Sequence, residues 1–250
     1  MDSLWQALWS WPPAVLLAAV AIGAAGGIVR GVTGFGAAMV MAPPLAMLVG
    51  PRVTVAVVLL LEGFAAAPML AQAARLARWR VLAPIVVAAA LFMPAGSLLL
   101  TSLPADWLRR AIALVVLSFS VILLTGLRWK GSYRTSTGLG LGAVSGTMLG
   151  ATGIGGPPVI LYLLSGPDDA RTTRATLAVF IAIVSALGLA TQAARGVTTA
   201  PGLLLGLAMM PLFMVGVVFG SRIFSRLSEA RFRRVTILLL MTVSAYVLLS

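Results

Sequence analysis

The sequence predicts an all-α polytopic membrane protein built from two inverted repeats. Three observations carry this. Apolar residues make up 60% of the chain and charged residues only 10%, where a soluble domain carries roughly 25% charged residues. Apolar runs such as Ala14–Ile28, Val53–Ala74, Val81–Leu100, Ala111–Leu127 and Val235–Leu249 approach or exceed the ~17–20 residues that span a bilayer core. A glycine-rich phrase is also written twice, as GGIVRGVTGFG at 26–36 and GTMLGATGIGG at 146–156. Gly27, Gly31, Thr33, Gly34 and Gly36 fall on Gly146, Gly150, Thr152, Gly153 and Gly155, each pair 119 positions apart.

The repeat runs further than the phrase. Arg52 falls on Arg171 at the same spacing, and GSLLLTSLPADWLRR (96–110) matches GSRIFSRLSEARFRR (220–234). This divides the chain into a first repeat at 1–126, a linker at 127–136 and a second repeat at 137–250, forming one integral membrane domain. A repeat of half a small membrane protein points to a transporter.

Each half reads as five elements. In the first they lie at about 12–29, 37–49, 53–74, 81–101 and 107–126, in the second at about 137–150, 157–165, 172–194, 200–221 and 231–249. The second element of each half is short, and 157–165 is too short to span. Each glycine phrase therefore reads as the tip of a re-entrant hairpin or as a break in a helix pair, joined to three transmembrane helices, for about eight to ten membrane elements in all. The start, MDSLWQALWSWPP, lacks the basic opening of a signal peptide, and Trp5, Trp9 and Trp11 suit an interfacial anchor.

The formal charge of +12 would suggest a nucleic-acid partner in a soluble chain. Here the arginines fall in short loops and set orientation instead. With loops 75–80, 127–136, 166–174 and 222–234 on one side, that side holds 13 of the 18 Lys/Arg and the other side holds 4. The positive-inside rule then puts both termini on the non-cytoplasmic side, and an odd number of elements per half makes the halves inverted. The rival count, four per half, gives parallel repeats.

Irregular backbone is tolerated at membrane depth only when buried in protein or lining a watery cavity. Two inverted hairpins would bring their tips together near the midplane, where the second arm of each begins with free amides and a positive dipole end. Glycine there lets a ligand approach the backbone, and Pro157 suits a first helical turn. The expected product is an anion site made by Thr33, Gly34, Phe35 and Gly36 in the first half and by Thr152, Gly153, Ile154, Gly155, Gly156 and Pro157 in the second, with the threonine hydroxyls as extra donors. The stripes Gly23-xxx-Gly27-xxx-Gly31 and Gly142-xxx-Gly146-xxx-Gly150 suit close helix packing.

The duplicated Gly-xxx-Gly-x-Thr-Gly-[Phe/Ile]-Gly phrase resembles the TauE/SafE sulfite-exporter family of membrane permeases. So do the prolines after it (Pro43–Pro44 and Pro157–Pro158) and the Gly-Ser…Arg-Arg close of each half. The resemblance covers essentially the whole chain. It departs from the fuller family phrase, which carries Gly-Gly-Gly at the tip, where this chain has Gly36-Ala37-Ala38 and Gly155-Gly156-Pro157. The resemblance implies a secondary transporter of small sulfur-containing anions, such as sulfite or organosulfonates. It would sit in the bacterial inner membrane and export by alternating access with ion coupling, by proton or sodium. A permease for another small organic anion such as a carboxylate, or a non-transporting scaffold, is the alternative, and a homodimer stays open.

Charges inside apolar sequence complete the site. Arg30 stands where the other half has Leu149. Its planar fork suits sulfonate, sulfite or carboxylate oxygens, unless it snorkels to the interface. Glu62, within VAVVLLLEGFAAAPML, could carry a coupled proton, pair with Arg30 or hydrogen-bond a neighbouring helix. Gln72, Tyr162 and Gln192 are candidates for a polar path, with packing as the competing role for each. Asp168 and Asp169 read as loop residues before the eighth element. The chain has no Cys and no His, so disulfides, thiol chemistry and the usual metal ligand are excluded. With six acids besides, it offers no convincing triad, metal site or carboxylate pair. An enzyme is not expected, nor is a cofactor.

Overall fold

The computed structural model describes residues 11–125 and 133–224, with 238, 240–242 and 244–248. Among the described residues the secondary structure is helical, with no strand. The order is α1 (Pro13–Thr33), α2 (Ala37–Leu48), α3 (Pro51–Ala66), a 3-10 turn (Ala67–Met69), α4 (Leu70–Leu76), α5 (Trp79–Ser102) and α6 (Ala105–Thr125). Then come α7 (Thr135–Thr152), α8 (Gly156–Leu164), α9 (Ala170–Ala194) and α10 (Ala200–Phe224). Described residues between 238 and 248 are helical as well. Trp5 and Trp9, the linker cations Arg128 and Lys130, and Arg226, Arg231, Arg233 and Arg234 lie outside the described residues.

Among the described residues six helical stretches are long and apolar enough to cross a membrane: Pro13–Thr33, Pro51–Leu76, Trp79–Ser102, Ala105–Thr125, Arg171–Ala194 and Ala200–Arg222. Large apolar side chains such as Leu17, Leu91, Trp107, Val215 and Phe219 stand exposed on the outer surface, which suits hydrocarbon and not water. Helix boundaries follow local chemistry. Gly50, at φ +84°, turns the chain into Pro51 at the first turn of α3. Asp169 caps α9 by accepting the Thr172 N–H at 3.0 Å, and that hydrogen bond holds its carboxyl below the usual range. The expected element 53–74 is not one straight helix. Pro68 cannot donate to a helical ladder, and the chain tightens into the 3-10 turn there.

Two packing relations dominate. α1 lies along α10, and α5 lies along α7, while α3 packs on α9 at the centre. The first two are backbone-on-backbone contacts. A Cβ on Gly27 would fall on the Phe213 carbonyl oxygen, and one on Gly31 on that of Val217. In the other pair, Gly142, Gly146 and Gly150 lie under the carbonyls of Ile85, Ala89 and Met93. The partners reciprocate: Gly220 lies under Ile28 and Gly96 under Thr147. Apolar association between helices in lipid has little solvent drive, so close approach at small residues supplies the attraction. Gln192 adds a polar tie. It is fully buried, accepts the Ser97 hydroxyl at 2.9 Å, and donates to the Gly150 carbonyl at 2.8 Å.

Candidate functional site

α2 has 12 residues and α8 has 9. At ~1.5 Å per residue neither covers the ~30 Å hydrocarbon core, so each begins where the preceding helix breaks. The breaks are built alike at first. Gly34 ends α1 at φ +81° and donates its N–H to the Arg30 carbonyl at 2.8 Å. Gly153 ends α7 at φ +74° and donates to the Leu149 carbonyl at 2.9 Å. This left-handed cap is the conformation glycine adopts without a Cβ penalty. Nothing lies within 4 Å of a Cβ placed on Gly34, so the backbone angle, not space, requires glycine there.

Both threonine hydroxyls are used inside their own tips. Thr33 donates to the Val29 carbonyl at 2.8 Å and accepts the Phe35 N–H at 3.2 Å. Thr152 donates to the Met148 carbonyl at 2.7 Å and accepts the Ile154 N–H at 3.2 Å. They shape the turns, and the expectation that they serve as spare donors is corrected accordingly.

The tips meet at one cavity of about 40 Å³. A single water occupies roughly 10–15 Å³ on this measure, so the space suits a few waters or one small oxyanion. Phe35, Gly36, Ala38 and Met39 line it from the first tip, and Gly153, Ile154, Gly155, Gly156 and Pro157 from the second. Leu59 and Glu62 on α3 and Phe180, Ile181, Val184 and Ser185 on α9 close the sides. Thr33, Gly34 and Thr152 stand next to lining residues and are not part of the lining.

Glu62 is the charged residue in this wall. It is buried, and its Oε1 accepts the Ala38 N–H in the first turn of α2 at 3.1 Å. Its Oε2 lies 3.1 Å from Nη1 of Arg30, which is equally buried in the last turn of α1. Arg30 is therefore no snorkelling anchor. A cation at a helix C-terminus and an anion at a helix N-terminus each match the local dipole. The ion pair is poorly aligned, because neither Arg30 Nη1 nor Glu62 Oε2 completes a hydrogen bond.

The polar-path candidates separate. Gln72 is exposed on α4. Tyr162 is buried away from the cavity, where its hydroxyl accepts the Arg134 N–H at 3.1 Å and its ring meets Tyr133 edge-on at 5.2 Å. Gln192 serves the interhelical tie described above. Near Tyr133, Arg78 pairs with Asp168, joining the start of α5 to the loop before α9. Burial and that carboxylate push the Tyr133 phenol up to about 12, so it stays neutral.

Sequence reasoning missed the α9 wall. Ser185 carries the one hydroxyl in the run LAVFIAIVSALGLA (177–190), and that isolation within an apolar helix was the available signal. The apolar members Phe180, Ile181 and Val184 gave none.

No curated protein and no solved structure matches the chain. The family model for the sulfite exporter TauE/SafE matches residues 19–247. A multi-pass helical architecture and a match over nearly the whole chain lead to one conclusion: this protein belongs to the TauE/SafE sulfite exporter family of membrane transporters.

Proposed function

We propose that the protein moves small sulfur-containing oxyanions, sulfite or an organosulfonate, across the bacterial inner membrane by alternating access. One observation carries the reading: two broken helices, one from each half of the chain, start at the same small cavity. Helix N-termini favour anions through their dipole, and a pair of them around one cavity suits an oxyanion about the size of sulfite. The pairing of α1 with α10 and of α5 with α7 supports two repeats exchanging equivalent helices. In inverted repeats such halves rock about a central site. The distribution of arginine and lysine supports termini on the non-cytoplasmic side, and a reporter fused after Ser250 should be inactive if it requires the cytoplasm.

Purified protein in liposomes tests the activity. Sulfite or methanesulfonate should enter saturably and compete with each other, while sulfate and acetate compete more weakly. Saturable uptake of acetate with no effect of sulfite would turn the assignment to carboxylates. No flux and no binding of any of the four would leave a membrane scaffold.

A further inference from the structure

We infer that Glu62 is a resident anion in the substrate site and that its protonation admits the substrate, one proton accompanying each anion. The inference rests on the anion-transport reading above. In the structure the Glu62 carboxylate holds the two features that an incoming oxyanion would use. Oε1 takes the Ala38 N–H at the start of α2, and Oε2 lies 3.1 Å from Arg30. While Glu62 is ionised, the charge of Arg30 is cancelled and the cavity wall presents a carboxylate, which repels an anion. A neutral Glu62 leaves the Arg30 charge uncompensated behind the cavity and holds the Ala38 N–H with a carbonyl oxygen instead of a charged one, a weaker hydrogen bond. The loaded state then carries the same net charge as the empty one, with the substrate anion replacing the carboxylate charge.

The poor alignment of the pair fits this role. Two atoms, Arg30 Nη1 and Glu62 Oε2, are buried and without a completed hydrogen bond, so Nη1 retains a donor that a better-placed oxyanion would take and Oε2 is open to a proton. Buried charges of this kind inside a membrane are costly and commonly functional.

The surroundings isolate the pair. Ala38, Met39, Ile154, Ile181, Val184 and Ser185 share the cavity with Glu62, and none titrates. The described ionisable groups on elements packed against α3 sit at helix ends. They are Arg52 on α3 itself, Arg80 on α5, Asp106, Arg109 and Arg110 on α6, Arg171 and Arg174 on α9, and Arg222 on α10. Arg52 is engaged with the carbonyls of Leu100 and Thr101, and Arg109 with the Ala46 carbonyl and Asp106.

The test compares methanesulfonate binding in the wild type and in Glu62→Gln between pH 6 and 8. The ligand stays ionised throughout, so its own titration does not enter. Linkage of one proton to one anion makes the wild-type Kd rise by about tenfold per pH unit wherever Glu62 starts ionised. Glu62→Gln, which keeps an oxygen for the Ala38 N–H, should bind with a pH-independent Kd and lose proton-driven accumulation. A flat wild-type profile, or an equally steep one in Glu62→Gln, overturns the inference and leaves the transport reading standing. Absence of binding by sulfite and methanesulfonate at every pH overturns both. If Glu62→Gln does not fold, proton uptake by the wild type in weak buffer decides: about one proton taken up per methanesulfonate bound supports the inference, and none overturns it.

Discussion

The two glycine tips start from the same sequence phrase and end as different structures. At the first, Gly36 takes φ +85° and the following turn of α2 is held by the Glu62 carboxylate. At the second, Gly155 occupies the matching position at φ −118°, and its carbonyl accepts the Ser145 hydroxyl. The three residues of the charged arrangement, Arg30, Ala38 and Glu62, have Leu149, Pro157 and Ile181 as their counterparts 119 positions on. Pro157 cannot donate an N–H, so the second tip offers fewer amides and no charge. The same phrase thus carries a charged arrangement in one half and an apolar, self-fastened one in the other. The lesson is that a repeated backbone motif sets where a site lies, while the unmatched side chains set its chemistry.

Mutations at the stripes probe what the halves share. Leucine at Gly27 or at Gly146 would drive side-chain bulk into a carbonyl of the facing helix, and neither backbone can yield without separating the pair. Both variants should lose nearly all folded, monodisperse protein in size-exclusion chromatography. Survival of one alone would show that only one of the two pairs is tightly built.

The next largest effect separates the tips. A methyl on Gly155 would sit 2.6 Å from the Ser145 carbonyl oxygen and 2.7 Å from the Leu149 Cβ. Overpacking of this sort costs about 1–3 kcal/mol, and Gly155→Ala should also distort the cavity wall. Gly36→Ala meets no such neighbour, its nearest atom being Val29 Cγ1 at 3.8 Å, and costs only the left-handed backbone penalty of about 1–2 kcal/mol. Thermal unfolding in detergent should rank Gly155→Ala below Gly36→Ala. The reverse order would mean that the second tip has room to relax.

A comparable loss is expected from Gln192→Leu. It strands the Gly150 carbonyl and the Ser97 hydroxyl in a dry interface, at about 1–3 kcal/mol. Its folded yield should fall, while the anion affinity of the surviving protein stays close to wild type. A large affinity loss at normal stability would return Gln192 to the transport path. Asp106→Ala removes an exposed contact to Arg109 on the same helix and should change stability by no more than about 0.5 kcal/mol.

The sequence by itself determined the class of this protein and the position of its breaks. Apolar runs of spanning length leave little choice but helices in a membrane, and that effect is short-range. The Thr-Gly-x-Gly phrases at 33–36 and 152–155 break their helices at a glycine of positive φ, whereas the same pattern at 137–140 stays inside α7, so it is the duplication of the longer phrase that marks the breaks. The pairing of Arg30 with Glu62 could be named as one option but not chosen, because 32 positions of chain separate the two and only the packing of α1, α2 and α3 brings them to 3.1 Å. The same holds for the threonine hydroxyls, whose backbone partners claim them once the turns close, and for Tyr162, drawn to Tyr133 and Arg134 instead of the cavity. The α9 wall of Phe180, Ile181, Val184 and Ser185 was decided wholly by tertiary structure. An apolar residue facing lipid and one facing the cavity between the tips obey the same hydropathy, and only the helix packed opposite tells them apart.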